Sequence, residues 1–256
     1  MSRKAILAAA AGGRAVGFED PASVAGLIGW WDAEDGITKD VSGCYYWQGK
    51  SPSANLLDQT GTVGARPAHA AADMNGHDVV RFDGTSDYMP VTAFDFERTD
   101  SFTLFFIIKP TSTVTGDHPI SGNFDNGSGT GWHNFIYDER FYLVLDGAGA
   151  EQLSVKTTNV TVAQNGTYSL IITYDGSSNA SGVAIYIDGS APPLTTVTDT
   201  LASSIVTSGD YGIGRYASNY AAYFGGDIPQ FGVYSRVITA PERTSLTDYL
   251  NTRYGL

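Results

Sequence analysis

The sequence predicts an all-β protein, an antiparallel sandwich or a barrel, that ends in a single helix. The first observation is the frequency of turn signals: Asp-Gly and Asn-Gly steps begin at residues 35, 75, 83, 126, 146, 165, 175 and 188. Both dipeptides tolerate the positive φ that tight hairpins require. The second observation is that short apolar or alternating segments lie between these steps. Many short strands separated by turns are typical of antiparallel β-proteins.

Five segments have the composition of strands. The clearest is residues 102–108, which is apolar on both alternating faces apart from Thr103. We therefore expect it to be a central strand that is covered on both sides. The other four are residues 141–145, 168–174, 183–187 and 231–234.

One helix is predicted near the end of the chain. Thr239 and Glu242 have the spacing of a capping box, and Gly255 is expected to end the helix. Four residues at helical spacing would share one face: Leu246, Tyr249, Leu250 and Tyr254. We expect this face to pack on the edge of the β-structure.

Charge divides the chain into two parts. The net charge is -12, yet the first 18 residues contain three basic residues and no acid, so the rest carries -15. The basic residues are Arg3, Lys4 and Arg14. We predict an extended N-terminal arm over residues 1–23 that serves assembly or docking, followed by one domain over residues 24–256. Two alternatives for the arm stay open, a signal peptide and an ordered segment packed on its own domain.

Composition excludes several classes of protein. The strong negative charge argues against nucleic acid as a partner, because phosphate binding depends on Lys and Arg. No run of 18 apolar residues occurs, so the sequence predicts no membrane span. The single cysteine, Cys44, excludes an internal disulfide framework and a Cys-rich zinc site. Its neighbours Tyr45, Tyr46 and Trp47 indicate a small buried residue.

Four segments together carry a resemblance to a known family. They are an opening strand and turn, a hairpin, a pair of central strands and a closing strand with its helix, at residues 26–37, 75–88, 168–189 and 225–256. These segments resemble laminin-G-like domains of the concanavalin A-like lectin/glucanase superfamily, of the kind found in phage virion and bacterial surface proteins. The resemblance implies a two-sheet antiparallel jelly-roll sandwich with one short C-terminal helix.

The chain departs from this family at one point. Many relatives carry acidic residues just after the closing Gly-x-Ile, whereas Pro229 and Gln230 stand there in this sequence. Pro229 has no backbone N–H to donate, so we expect a strand edge or a bulge at that position. A family metal site that depends on acids there could not form at these two residues.

The resemblance implies a fold and leaves the activity open, because the superfamily includes glycosidases, lectins, adhesion modules and virion proteins. A glycosidase of this kind needs two carboxylates, usually in an E-x-D-x-E strand, and that pattern is absent. Asp32 and Glu34 could share a strand face, but a turn rich in acids explains them more simply. The four histidines lack zinc-ligand spacing: His69, His77, His118 and His133. We therefore predict that the protein is not an enzyme.

Two loops, residues 115–134 and 215–224, offer groups suited to sugar recognition. Aromatic faces stack on a pyranose while carboxylates and amides bind its hydroxyls. The candidate ligand-binding residues are Asp125, Asn126, Trp132, His133, Tyr216, Tyr220 and Tyr223. The alternatives are a core or rim position for the tryptophan and interface packing for the tyrosines. A calcium site built from Asp117, Asp125 and Asn126 is a further alternative, and no other cofactor is predicted.

These observations favour a non-enzymatic, displayed structural or binding module. Our first hypothesis is a capsid-decoration or tail-associated protein on a virion surface, anchored to other virion proteins by its basic arm. The alternative is a carbohydrate-binding adhesin, secreted or virion-borne, whose partners are surface glycans. A glycoside hydrolase is the third interpretation. Either of the first two is compatible with a homo-oligomer.

Overall fold

The computed structural model describes residues 17–51, 56–91, 94–207, 211–216 and 221–256. The basic residues of the predicted arm and one candidate ligand-binding residue lie outside this description: Arg3, Lys4, Arg14 and Tyr220.

The described residues form seventeen strands and one α-helix, α1, at Ala240–Tyr254. In chain order the strands are β1 (Leu27–Asp32), β2 (Ile37–Asp40), β3 (Gly43–Gln48), β4 (Leu56–Asp58), β5 (Ala68–Met74), β6 (His77–Asp83), β7 (Met89–Val91), β8 (Phe102–Pro110), β9 (His118–Asp125), β10 (Thr130–Tyr137), β11 (Arg140–Asp146), β12 (Gln152–Thr157), β13 (Tyr168–Tyr174), β14 (Val183–Ile187), β15 (Leu194–Asp199), β16 (Tyr211–Ile213) and β17 (Gly225–Tyr234).

The strands form two large sheets and one small sheet. The first sheet has the order β14-β13-β8-β17-β6-β5, with β1 also paired to β17. The second sheet has the order β15-β12-β11-β10-β9-β16-β7, and β2, β3 and β4 form the small sheet. The strand pairs are antiparallel throughout the described residues. The predicted two-sheet jelly-roll sandwich with a C-terminal helix is confirmed.

Strand β8 lies at the centre of the first sheet and is buried on both faces, as the sequence predicted. Phe102, Leu104 and Phe106 point into the core between the two large sheets. Phe105 and Ile107 point the opposite way, into a second apolar cluster beneath the helix. The alternation of a strand therefore divides one apolar segment between two cores.

Most of the Asp-Gly and Asn-Gly steps have the backbone conformation that the sequence predicted. Asn75 and Gly76 join β5 to β6 with φ of 50° and 83°, so both central residues have the positive φ of a type I′ hairpin turn. Six of the eight predicted Asp-Gly or Asn-Gly steps contain a residue with positive φ. The steps at residues 126 and 146 do not.

Helix α1 begins with the predicted cap and ends at Gly255, which has a left-handed conformation. The Glu242 carboxylate accepts hydrogen bonds from the Thr239 amide at 2.7 Å and from Arg236 at 2.7 Å. Leu246 and Leu250 pack in the second cluster against the outer face of the first sheet. The helix therefore covers the face of that sheet, and the expected position on its edge is corrected. Among the described residues no helix is long and apolar enough to cross a membrane.

Pro229 lies where strand β17 changes partners. Gly225 to Ile228 pair with β6, whereas Gln230 to Tyr234 pair with β1. The register between β17 and β8 also shifts between Asp227 and Gln230. The carbonyl oxygen of Pro229 accepts from the Ala33 amide at 2.8 Å. The sequence argument for an irregularity at Pro229 thus agrees with the structure.

The segment just before β1 packs on the body of the domain. Phe18 is buried, and its ring lies 6.1 Å from that of Tyr249 on α1. Asp20 caps a short 3₁₀ turn at Pro21–Ser23. The Tyr234 hydroxyl donates to the Pro21 carbonyl at 2.9 Å. Residues 18–23, which the sequence argument assigned to the arm, therefore contact the second cluster.

Candidate functional site

The outer face of the second sheet carries a cluster of rings that we call the aromatic patch. Strand β10 alternates, so Trp132, Asn134 and Ile136 are buried on the side of the first sheet while the residues between them lie on the other face. The patch consists of Phe124, His133, Phe135, Tyr137, Tyr142 and Tyr216.

Pairing of β10 with β11 puts two of these rings in contact. Phe135 lies directly opposite Tyr142 in the register, and their rings stack with centroids 4.8 Å apart and planes inclined by 10°. The Tyr137 ring packs edge-on against Tyr142 at 6.3 Å. Lys156 on β12 places its Nζ 5.6 Å from the centroid of the Tyr142 ring. Phe135 and Tyr142 are half-buried and Tyr137 is exposed, so this part of the patch is open to solvent.

The other half of the patch surrounds a histidine. His133 lies 4.9 Å from Phe124, 5.3 Å from Phe135 and 4.4 Å from Tyr216, ring centroid to ring centroid. Tyr216 follows β16, and its carbonyl oxygen accepts from the Phe124 amide at 3.0 Å, which ties this segment to β9. Its hydroxyl donates to Asp117 Oδ2 at 2.7 Å.

Gly122 on β9 makes this ring packing possible. A Cβ at this position would lie 2.7 Å from the Cβ atoms of both His133 and Tyr216. Atoms this close overlap, so a larger residue would push Tyr216 off the histidine.

Three polar atoms around the patch are buried without a hydrogen-bond partner: Asp117 Oδ1, His133 Nδ1 and Asp146 Oδ2. Asp146 ends β11, and its Oδ2 lies 3.8 Å from His133 Nε2, too far for a direct hydrogen bond. Its other oxygen accepts from Gln152 at 2.8 Å. Buried polar atoms of folded proteins are nearly always paired, so three unpaired atoms in one place indicate a site for a ligand or water.

Burial shifts the pKa values of Asp146 and His133 in opposite directions. Desolvation raises the pKa of the Asp146 carboxyl to about 6 and lowers the pKa of the His133 imidazole to about 3. At neutral pH the aspartate is therefore charged and the histidine is neutral. The Asp146 carboxylate is the charged group nearest to Nε2, so its electrostatic attraction favours the tautomer that carries the proton on Nε2 and leaves Nδ1 as an acceptor.

The candidate residues identified from sequence lie in different environments. His133 and Tyr216 are brought together in the patch, as described above. Trp132 lies in the core between the sheets, where its Nε1 donates to the Phe94 carbonyl at 3.1 Å. Its assignment to ligand binding is corrected, because the alternation of β10 turns its side chain inward. Tyr223 is half-buried in the segment before β17.

Asp125 and Asn126 form part of a turn between β9 and β10. The Asp125 carboxylate accepts from the Gly127 amide at 2.8 Å and from the Ser128 amide at 3.3 Å, so its oxygens stabilise the turn itself. Strand β9 separates Asp117 from Asp125 by eight extended residue steps, roughly 25 Å. The calcium site imagined between them is therefore corrected. The described residues contain no group of three His, Cys, Asp or Glu side chains that could hold a metal ion.

The acidic pair considered for catalysis holds the helix to the first sheet. Asp32 is buried, and its Oδ2 lies 3.0 Å from Arg253 on α1 and 3.7 Å from Lys50. Burial raises the pKa of Asp32, and Arg253 opposes this effect. Glu34 contacts Arg253 and lies 2.7 Å from His77 Nδ1. Cys44 is fully buried as expected, which raises the pKa of its thiol to about 11.

Sequence reasoning missed four members of the patch and its carboxylate: Phe124, Phe135, Tyr137, Tyr142 and Asp146. The sequence signal was present in β10 and β11, where polar or aromatic residues alternate with apolar ones. The identification of the patch needed the register between strands, because the stacked rings are seven residues apart along the chain.

The fold and this face define a lectin-like jelly-roll domain. The chain belongs to the concanavalin A-like lectin/glucanases superfamily, whose laminin G family profile matches residues 83–242. The comparison with curated proteins finds no match.

Solved structures with the same fold include toxin domains and an enzyme. The binding domain of Paraclostridial Mosquitocidal Protein 1 has a TM-score of 0.64 at 15% identity, over 88% of this chain and 53% of that one. The botulinum neurotoxin serotype G binding domain has a TM-score of 0.57 at 16% identity, over 88% and 51%. Trypanosoma rangeli sialidase, solved with 2,3-difluorosialic acid, has a TM-score of 0.60 at 13% identity, over 90% and 34%. The chain thus spans about half of each toxin domain and a third of the sialidase.

Proposed function

We propose that this domain binds carbohydrate through the aromatic patch. The observation that carries the proposal is the stacked pair Phe135 and Tyr142, which lies half-buried on an open sheet face beside unpaired polar atoms. Sugar recognition combines an aromatic platform for the apolar face of the ring with a few placed polar groups. Membership of a superfamily that includes lectins adds support.

The structure offers a second reason to assign binding to this face. An apolar surface left open on a folded domain forgoes roughly 25 cal/mol of stabilisation for every Å² that burial would remove from water. Such surfaces are commonly interaction sites. The outer face of the first sheet, by contrast, is covered by helix α1.

The experiment compares two tyrosines in matched settings. Tyr142 is half-buried beside Lys156, and Tyr45 in the small sheet is half-buried beside Arg66, whose Cζ lies 5.1 Å from the ring centroid. On a glycan array and in calorimetric titration, Tyr142→Ala is expected to weaken binding about tenfold, a loss of about 1.4 kcal/mol. Tyr45→Ala is expected to bind like the wild type. Silence of the wild type across the array, with and without calcium, would contradict carbohydrate binding.

We infer that the domain binds sugar without hydrolysing it. The paired glutamates of a retaining or inverting jelly-roll glycosidase are absent from the sequence. The acidic residues Asp32 and Glu34 are engaged by Arg253. The expected result is that a broad polysaccharide panel yields no reducing sugar, and steady release would favour the hydrolase interpretation.

The second candidate function is display on a virion surface. It is supported by the charge division, with Arg3, Lys4 and Arg14 ahead of an acidic body. In this proposal the basic arm binds the assembly while the acidic domain faces solvent, at a virion surface rather than as a secreted protein. Deleting residues 2–16, which leaves the packed residues Phe18 and Asp20 in place, is expected to abolish incorporation into particles, since the basic residues of the arm would be lost. Normal occupancy on purified particles would refute the anchoring role.

A further inference from the structure

The unpaired atoms around the aromatic patch are all hydrogen-bond acceptors. Asp117 Oδ1 and Asp146 Oδ2 belong to carboxylates, and His133 Nδ1 is the acceptor nitrogen in the tautomer that the nearby Asp146 carboxylate favours. His133 is 8% exposed, and its ring packs against both Phe124 and Tyr216. A carboxylate has no proton to donate, so none of these atoms can satisfy another. The partner they require must bring its own donors.

The charged groups near the patch also favour a partner that carries no negative charge. Asp138 and Glu139 form the turn between β10 and β11, next to Tyr137. With Asp117 and Asp146 they make four acids. The cations on the same described segments are Arg140, which donates to the Glu139 carbonyl at 3.0 Å, Lys156, which lies beside Tyr142, and Arg215, which precedes Tyr216 and lies against the Tyr88 ring. The excess of negative charge opposes the approach of an anion.

We propose that the aromatic patch is selective for neutral sugar residues whose hydroxyl groups donate to Asp117, His133 and Asp146, and that it rejects sugars bearing a carboxylate. This inference rests on the proposed carbohydrate binding and names the substrate class of that site. A hydroxyl both donates and accepts, so a neutral sugar supplies the missing donors and stacks on Phe135 and Tyr142. An acidic sugar would add a charge without adding a donor.

Access to the buried pair follows from the origin of the covering ring. Tyr216 belongs to the segment after β16, whereas His133 and Asp146 belong to strands. Because Tyr216 is itself buried and its hydroxyl is bonded to Asp117, a water that joins a sugar hydroxyl to Asp146 is the route by which the donor reaches the carboxylate. Bridging waters of this kind are nearly as effective as direct hydrogen bonds.

The experiment uses the full chain on a printed panel of neutral hexose and N-acetylhexosamine oligosaccharides, paired with the same cores extended by sialic or uronic acid. The wild type is expected to bind the neutral cores at least tenfold more tightly than their acidic counterparts. Asp146→Asn replaces one acceptor by a donor. It is expected to weaken binding of the neutral oligosaccharides about tenfold and to reduce the difference in affinity between neutral and acidic oligosaccharides. Asp248→Asn changes the net charge equally on the exposed face of α1 and is expected to change neither value.

The outcomes separate the two proposals. Equal or tighter binding of acidic glycans by the wild type would overturn the selectivity and leave carbohydrate binding standing. If Asp146→Asn kept the wild-type preference for neutral over acidic glycans, the proposed role of the Asp146 carboxylate in that selectivity would also be overturned. A silent panel would overturn carbohydrate binding and the selectivity with it. Urea unfolding of Asp146→Asn, which is expected to be at least as stable as the wild type, distinguishes a loss of binding from a loss of structure.

Discussion

Asp146 shows at the residue scale how the proposed binding site would reduce stability. Its carboxylate is buried with one oxygen unpaired, and burial raises its pKa to about 6 from the ordinary 3.8. The folded state therefore binds a proton more readily than the unfolded state. The free energy of unfolding should fall as the pH rises from about 4 to 6, and the full penalty should remain at higher pH.

This penalty predicts that Asp146→Asn stabilises the protein above pH 6. The amide keeps the oxygen that accepts from Gln152 and removes the buried charge. We expect a gain of about 1–3 kcal/mol at pH 8 and almost none below pH 4, measured by urea unfolding. His133 contributes the opposite slope, because a lowered pKa destabilises the fold as pH falls below 6.5. The difference between variant and wild type therefore isolates Asp146, and a gain that does not change with pH would contradict this account.

Single residues were also where sequence reasoning was least complete. His133 and Tyr216 were identified as candidates from their loops, whereas Trp132, a candidate from the same reasoning, occupies the core position that the sequence left open as its alternative. A tryptophan beside a polar turn has the composition of a sugar platform, but the alternation of β10 decides which side it faces. Phe135 and Tyr142 become one platform only through the strand register, which composition does not specify.

At the scale of elements, the helix shows what an amphipathic pattern can and cannot specify. The cap at Thr239 and Glu242, the apolar face and the end at Gly255 were all predictable from local chemistry. The surface beneath the helix was not, because periodicity shows which residues are buried and leaves their partners open. The structure shows that the partners are the outward side chains of β8 and β13, including Phe105 and Ile171.

Packing of this helix predicts the effect of one core substitution. Leu250 is fully buried against the first sheet, whereas Thr252 on the same helix is exposed. Leu250→Ala removes buried apolar volume and is expected to lower the free energy of unfolding by about 2–4 kcal/mol. Thr252→Ala is expected to stay within about 0.5 kcal/mol of the wild type. Equal effects of the two substitutions in urea unfolding would show that the helix does not stabilise the sheet.

For the whole molecule, the two apolar clusters are joined by the first sheet. Strand β8 supplies Phe106 to the core between the sheets and Phe105 to the cluster beneath the helix. Strand β1 does the same with Trp31 and Trp30, which are adjacent in sequence and point into different clusters. Loss of either cluster would expose side chains of the same strands that pack the other cluster. The sandwich and the helix should therefore unfold as one unit.

This coupling predicts coincident unfolding transitions. Far-ultraviolet circular dichroism reports the sheets, and tryptophan fluorescence reports Trp30 in one cluster together with Trp31, Trp47 and Trp132 in the other. We expect both signals to give the same midpoint and slope in urea, for the wild type and for Leu250→Ala at its lower midpoint. A fluorescence change that precedes the loss of β-structure and is absent from a Trp30→Phe variant would mean that the helix cluster opens first. In that case the aromatic patch, which lies on the opposite sheet, would keep its sugar binding after the helix had detached, and binding measured at intermediate urea would reveal it.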